Sequence, residues 1–180
     1  MAKARAVFLD RDGVINRAYV REGKPYPPDT AAGLELLPGV PEAMARLKQA
    51  GFLLIVVTNQ PDVGARKQQR EVVEAMHARL MAELPLDAIK VCYHVEEDGC
   101  ACRKPRPGML LEAIAEHRID PARSALVGDR WRDIGAGQAT GCRSYFIDYG
   151  YHEKGPGKPY VPVKSLLEAA TLILNEPPSQ

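Results

Sequence analysis

Five short apolar runs, separated by stretches whose apolar residues recur at helical spacing, confine this chain of 180 residues to a narrow set of folds. Residues 52–57 are a continuous apolar run, the mark of a strand covered on both faces, and the largely apolar 4–9, 88–93, 124–127 and 142–147 read as further strands. Between them, Val40, Ala43, Met44 and Leu47 fall at i, i+3, i+4 and i+7 ahead of Gly51, and Val73, Met76, His77 and Leu80 repeat the pattern before Pro85. Leu110, Ala113, Ile114 and His117 give a third helix, 131–140 a fourth ending at Gly141, and 165–174 a last one. On the third helix's predecessor, His77 reads as a histidine at the core's edge. Strand alternating with helix predicts an α/β fold: a parallel sheet with right-handed crossovers and helices on both faces, three layers in one domain spanning 1–180. Residues 16–38 read as a loop too short for an inserted cap domain, the stretch after His152 as another loop, and Pro177-Pro178-Ser179-Gln180 as a frayed tail.

Ligands in such sheets bind beyond the carboxyl ends of the strands, and there the polar residues of this chain gather. Asp10 and Asp12 follow the first run, Thr58-Asn59-Gln60 the second, Cys92-x-His94 the third and Gly128-Asp129 the fourth, with Asp133 four residues on. Side chains alternate along extended backbone, so two carboxylates at i and i+2 can converge on one cation or phosphorus atom, and Gly13 permits a sharp turn behind them. Singly these are weak signals: either acidic strand end reads as an ordinary turn, and Thr58 as an ordinary strand residue. Four in one chain point to phosphate chemistry.

Charge limits the partners. Lysine and arginine number 24 against 23 aspartates and glutamates, so no broad positive surface is available for nucleic acid. No apolar stretch has the length of a membrane span or a signal-peptide core, and a cytoplasmic protein is expected. Cys92, His94, Cys100 and Cys102 supply three thiolates and an imidazole within residues 92–102, the ligand count of a closed tetrahedral structural Zn²⁺ site. The alternative is a cluster of buried or reactive thiols. Arg103-Lys104-Pro105 follows Cys102 at once, so a metal there would hold two cations near the acidic strand ends. Cys142 reads as a buried free thiol.

Taken together, the four strand-end motifs resemble the haloacid dehalogenase superfamily of phosphotransferases, from Val7 to about Asp133. The resemblance implies a Rossmann-like phosphatase without a cap, with Asp10 as nucleophile, Asp12 as acid and base, Thr58 and Lys104 on the transferring phosphoryl group, and Asp133 in support. It also implies Mg²⁺ held by Asp10, Asp12 (through its carbonyl) and Asp129. Physical chemistry agrees, since a carboxylate attacks a phosphate dianion only when a divalent cation and a lysine offset the repulsion. Acidic neighbours are expected to favour a proton on Asp12.

Within the superfamily, the zinc loop running into Cys102-Arg103-Lys104-Pro105-x-Pro107-Gly108-Met109-Leu110 is similar to a subgroup containing heptose 1,7-bisphosphate 7-phosphatases and histidinol-phosphate phosphatases. Asp10-Arg11-Asp12-Gly13-Val14-Ile15-Asn16 resembles the heptose enzymes more; Pro61-Asp62 departs from their usual Ser-Gly, and the short loop from His94 to Cys100 is shared with many histidinol phosphatases. This implies a small phosphorylated metabolite as partner, a sugar bisphosphate ahead of histidinol phosphate, contacted by Asn59, Gln60, Arg103 and Arg130. Tyr19, Arg21, Lys24 and Arg66 are further candidates for a second phosphate or for sugar hydroxyls. A monomer is expected. Two other readings stay open: a nucleic-acid 3′-phosphatase, which the near-neutral charge disfavours, and a noncatalytic zinc-stabilised module that binds phosphorylated ligands, which the intact acidic set disfavours.

Overall fold

A computed structural model describes residues 3–176, so the tail 177–180 lies outside the described residues. Six parallel strands form the sheet in the order β5 (Ala88–Cys92), β4 (Leu53–Asn59), β1 (Ala6–Leu9), β6 (Ala125–Gly128), β7 (Arg143–Ile147) and β8 (Val161–Val163). Every residue of β1 is buried, as its unbroken apolar run requires. Alternate side chains then feed two separate cores. Val7, Leu9, Leu54, Val56 and Val127 pack with α1 (Val40–Gln49), α3 (Arg70–Glu83) and α6 (Leu166–Asn175) on one face; Phe8, Ile55, Val57 and Leu126 pack with α4 (Gly108–His117) and α5 (Trp131–Thr140) on the other. Each fully buried aliphatic side chain stabilises the fold by about 1.5–3 kcal/mol over leaving it exposed.

Helices form where the apolar spacing places them. Val40, Ala43, Met44 and Leu47 are the buried face of α1, and Val73, Met76, His77 and Leu80 that of α3. Ser165 caps α6 by accepting the backbone N–H of Glu168 at 3.2 Å.

Two stretches read as loop differ from expectation. Residues 16–38 are not wholly loop: β2 (Tyr19–Arg21) and β3 (Lys24–Tyr26) pair antiparallel, Tyr19 opposite Tyr26. The turn between them is Glu22-Gly23, both at positive φ (50° and 75°), the conformation of a tight hairpin turn. Glutamate is not the asparagine or aspartate that usually announces one. The stretch after His152 likewise contains β8, whose central Pro162 is tolerated because the strand lies at the sheet's edge. A four-residue helix, α2 (Pro61–Gly64), follows Thr58-Asn59-Gln60. The chain leaves β1 for β4 and β5 on one side and later returns to β6 on the other, so the carboxyl ends of β1 and β6 sit side by side at a topological switch point.

Candidate active site

Asp10 leaves the end of β1 and Asp129 the end of β6, and α5 brings Asp133 beside them. One carboxylate oxygen from each lies within 4.8 Å of the others. Lys104, 1% exposed, is the cation among them: its Nζ donates to Asp10 Oδ1 at 3.0 Å and the Val57 carbonyl at 2.6 Å, and is paired with Asp133 Oδ1 at 2.6 Å. The Arg11 backbone N–H also donates to Asp10 Oδ1, at 2.8 Å, which leaves Oδ2 of Asp10 without a partner among the described residues. Asp133 is fully engaged. Its Oδ2 accepts the backbone N–H groups of Asp129 (3.2 Å) and Arg130 (3.0 Å) at the start of α5, so it orients the others.

One lysine does not balance three buried carboxylates. Burial, then the charge of Asp133, pushes Asp10 up to about 7, and burial followed by Asp10 and Asp133 pushes Asp129 well above the ordinary carboxylate range. Burial opposes the charge on Lys104, but Asp10 and Asp133 more than reverse this and hold it protonated. Asp129 Oδ1 is buried with no hydrogen-bond partner among the described residues. Excess negative charge and an orphaned oxygen are what a divalent cation would satisfy, and the all-oxygen donor set suits a hard one.

Two glycines permit this crowding. At Gly13 (φ 85°) a Cβ would fall 2.0 Å from Asp129 Oδ2, and at Gly128 one would fall 2.1 Å from Asp133 Cβ. Gly13 therefore does more than turn the chain: it gives Asp129 its place.

Asp12 is held differently from expectation. Arg11, 0% exposed, donates to both of its oxygens at 3.0 Å, Asn16 Nδ2 to Oδ1 at 2.9 Å and Gln60 Nε2 to Oδ2 at 2.8 Å. Donors, more than acidic neighbours, surround it. Behind Arg11, Nη1 lies 3.0 Å from His77 Nε2. Burial, then the Arg11 cation, pushes His77 down to about 4, so its ring nitrogen is free to accept. His77 is the core-edge histidine anticipated, with the added task of backing a buried guanidinium.

The cysteine loop closes on itself. From the end of β5, Cys92 Sγ lies 3.0 Å from Cys102 Sγ and 3.7 Å from Cys100 Sγ, and His94 Nδ1 lies 3.6 Å from Cys92 Sγ and 3.2 Å from Cys102 Sγ. A tetrahedron with Zn–S arms of about 2.3 Å has edges of about 3.5–3.8 Å, which the longer of these spacings match and the shorter approach, so the donors can gather round one small ion. Asn59 ties this loop to the sheet: its Oδ1 accepts the Lys104 backbone N–H at 3.0 Å and its Nδ2 donates to the Lys104 carbonyl at 3.1 Å.

A cavity of about 160 Å³ opens over these groups, walled by Asp10, Asp12, Asn59, Gln60, Lys104, Asp129, Arg130 and Asp133, with Pro25 and Tyr26 of β3 and Arg132 at its edge. It is smaller than pockets that enclose whole metabolites, about 300–1,000 Å³. A phosphoryl group fits inside; the rest of a substrate would lie on the rim. Of the expected contact residues, Arg130 is paired with Glu153, and Gln60 bridges Asp12 and Thr58 Oγ1 (3.0 Å). Arg103 is not on the cavity wall: it donates to Glu96 Oε2 at 3.1 Å and to the His94 carbonyl at 3.4 Å. Tyr19, Arg21, Lys24 and Arg66 are off the wall as well. Sequence reasoning missed Arg132, which shares Glu96 with Arg103 at 3.1 Å, and Tyr151, whose hydroxyl donates to Asp129 Oδ2 at 2.8 Å. It also missed Arg11. An arginine between two strand-end carboxylates should by alternation point inward, where it needs a buried partner, and that signal was available.

The HAD-hydrolase-like family matches residues 101–169, from the cysteine loop through β8 to the start of α6. A curated relative from Pseudomonas aeruginosa, D-glycero-beta-D-manno-heptose-1,7-bisphosphate 7-phosphatase, is 37% identical over 94% of this chain and 92% of its own. This chain belongs to the haloacid dehalogenase superfamily. It is a phosphatase closely related to the heptose-bisphosphate 7-phosphatases. A crystal structure of D,D-heptose 1,7-bisphosphate phosphatase from B. bronchiseptica, complexed with magnesium and phosphate, superposes with a TM-score of 0.81 at 30% identity, covering 94% of this chain and 98% of that one. D-glycero-alpha-D-manno-heptose-1,7-bisphosphate 7-phosphatase from Mycobacterium tuberculosis is 37% identical over 71% of this chain and 68% of its own. Relatives thus include enzymes named for either anomer. Among the described residues no helix is long and apolar enough to cross a membrane.

Proposed function

We propose that this phosphatase removes the 7-phosphate of D-glycero-D-manno-heptose 1,7-bisphosphate in a Mg²⁺-dependent reaction through an aspartyl phosphate on Asp10. The observation that carries the chemistry is the pairing of Asp10, with Oδ2 free, against a buried Lys104 and an Asp129 that has an orphaned oxygen. Asp10 attacks phosphorus. Lys104 Nζ, already on Asp10 Oδ1, neutralises charge as the new O–P bond forms, and Thr58 Oγ1, which accepts from Gln60, keeps its own hydrogen for a phosphoryl oxygen. Asp12 supplies a proton to the departing sugar oxygen and later takes one from water; to do so it gives up one of its partners, of which Gln60 lies on the cavity wall. Mg²⁺ held by Asp10 and Asp129, with the Asp12 carbonyl beside them, would offset the charge of the incoming phosphate.

The rim supports a bisphosphate. Arg103, Arg132 and Arg106 converge on Glu96 at 3.1, 3.1 and 3.5 Å, more positive charge than one carboxylate balances, beside a cavity that admits one phosphoryl group. The decisive experiment is a Mg²⁺ panel of both heptose bisphosphate anomers, histidinol phosphate and fructose 1,6-bisphosphate. The highest kcat/KM is expected for a heptose bisphosphate, with the anomeric phosphate retained; histidinol phosphate leading by about tenfold or more would overturn the substrate and leave the phosphatase chemistry standing.

Zn²⁺ in the Cys92, His94, Cys100, Cys102 cluster is the structural part of this reading. Protein purified without chelators should carry about one equivalent of zinc by elemental analysis, and Cys102→Ser should lower both zinc content and melting temperature. Finding no metal but Mg²⁺ would contradict it.

Mg²⁺ binding should depend on pH. Asp10 is raised from 3.8 to about 7 in the folded chain, so its contribution to the stability of metal-free protein is complete below its ordinary value and lost as pH rises through about 7. His77, lowered from 6.5 to about 4, works in the opposite sense between those two values, so the clean readout is the rise in melting temperature on adding Mg²⁺. That rise should grow as pH increases from about 6 to about 8, because the ion then displaces no proton; an increment flat with pH would contradict the assignment.

A further inference from the structure

After β7 the chain does not leave the site. Residues 148–153 run back across the carboxyl edge of the sheet and touch it at four successive points. The Tyr149 hydroxyl donates to the Gly13 carbonyl at 2.8 Å, the Tyr151 hydroxyl to Asp129 Oδ2 at 2.8 Å, the His152 N–H to the Gly23 carbonyl of the β2–β3 turn at 2.8 Å, and Glu153 accepts from Arg130 Nε at 3.0 Å. The two tyrosine rings stack with centroids 5.6 Å apart, which fixes the direction of both hydroxyls.

This segment acts on one carboxylate in particular. Asp129 Oδ2 is boxed in by the Tyr151 hydroxyl and by Gly13, whose missing Cβ would stand 2.0 Å away. Asp129 Oδ1 is buried and has no partner among the described residues. The carboxylate thus presents one oxygen and withholds the other. Mg²⁺ takes carboxylates through single oxygens in a tight octahedron, whereas the larger Ca²⁺ accepts six to eight ligands and commonly engages both oxygens of a carboxylate.

We propose that Tyr151 is a positioning residue for the metal site: by occupying Oδ2 it makes Asp129 a one-oxygen ligand and sets the preference of the site for Mg²⁺ over Ca²⁺. The inference rests on the Mg²⁺ reading above but not on which sugar is cleaved. Because Tyr151 lies on the segment that also holds Gly23, the same contact ties the hairpin beside the cavity to the geometry of the metal ligand. Tyr151→Phe removes the hydroxyl and keeps the stacked ring, so both oxygens of Asp129 become available.

The test uses the full-length protein with saturating inorganic phosphate, titrated calorimetrically with MgCl₂ and with CaCl₂. In Tyr151→Phe the ratio of the Ca²⁺ to the Mg²⁺ dissociation constant should fall by about tenfold, and Ca²⁺ should inhibit turnover at correspondingly lower concentration. Tyr149→Phe, which removes the neighbouring hydroxyl without touching Asp129, should keep the wild-type ratio. Should Tyr151→Phe prove unstable, Tyr151→Leu must shift the ratio in the same direction. A ratio within about twofold of wild type in the Tyr151 variants, or an equal shift in Tyr149→Phe, overturns the proposal while Mg²⁺ binding stands. Wild-type protein that binds no Mg²⁺ overturns both.

Discussion

Asp10→Asn is expected to lower phosphate release by about four orders of magnitude or more while leaving the metal-free protein no less stable than wild type. The loss follows from removing the proposed nucleophile. An amide nitrogen or oxygen in that place forms no acyl phosphate, and only the positioning of water by the remaining groups survives. The stability follows from the contacts: asparagine Oδ1 can still accept from the Arg11 N–H and from Lys104 Nζ, the two donors that Asp10 Oδ1 now serves. Asn also removes one of three crowded charges. Burial and the charge of Asp133 push Asp10 up to about 7, so its ionised form opposes folding in the absence of metal and the variant's advantage should be largest above that pH. Turnover above about one per cent of wild type, or a variant that unfolds, would contradict this account of Asp10.

Lys104→Met should be the most damaging change to the site that leaves the nucleophile in place. The ammonium is 1% exposed and, among the described residues, is the only cation in contact with both Asp10 and Asp133, so its removal leaves buried carboxylates without their partner. Breaking such a buried pair costs about 3–5 kcal/mol, far more than an exposed salt bridge. The deficit should be greatest above pH 7 and shrink as pH falls through about 7 and Asp10 takes up its proton, a dependence opposite to simple acid destabilisation. Turnover should fall by about 10²–10³-fold even where the variant is folded and Mg²⁺ is saturating, because the charge that met the phosphoryl group is gone. Equal melting temperatures at high pH for variant and wild type would show that Lys104 does not balance these carboxylates.

The parts of this architecture that repeat a period were legible in the chain alone. Continuous runs such as Val7-Phe8-Leu9 and Leu54-Ile55-Val56-Val57 leave no choice but a strand buried on both faces, and the i, i+3, i+4, i+7 pattern of α1 leaves none but a helix on one of them. The strand-end acids were legible for the same reason: a parallel sheet puts its carboxyl ends on one edge, and Asp10, Asp129 and Asp133 meet there. What could not be read was whatever depends on a single turn or on a return of the chain. The β2–β3 hairpin hangs on Glu22 adopting positive φ, which its residue type does not announce. The contacts of Tyr149, Tyr151 and Glu153 need the segment after β7 to fold back by chance of no periodic signal, although two tyrosines just past a strand's carboxyl end were a hint left unused. Arg103 shows a further limit. Its neighbourhood to Lys104 in sequence fixes that it lies near the site, but the Glu96 carboxylate, seven residues earlier in the chain, decides where its guanidinium points.

The central claim is that Asp10 itself carries the phosphoryl group during turnover. Wild-type enzyme mixed with Mg²⁺ and heptose 1,7-bisphosphate carrying a radiolabelled 7-phosphate, then quenched in acid within a single turnover, should retain label on protein, and borohydride reduction should convert Asp10 alone to homoserine. Label at another residue, or full turnover with no labelled protein at any quench time, would contradict it.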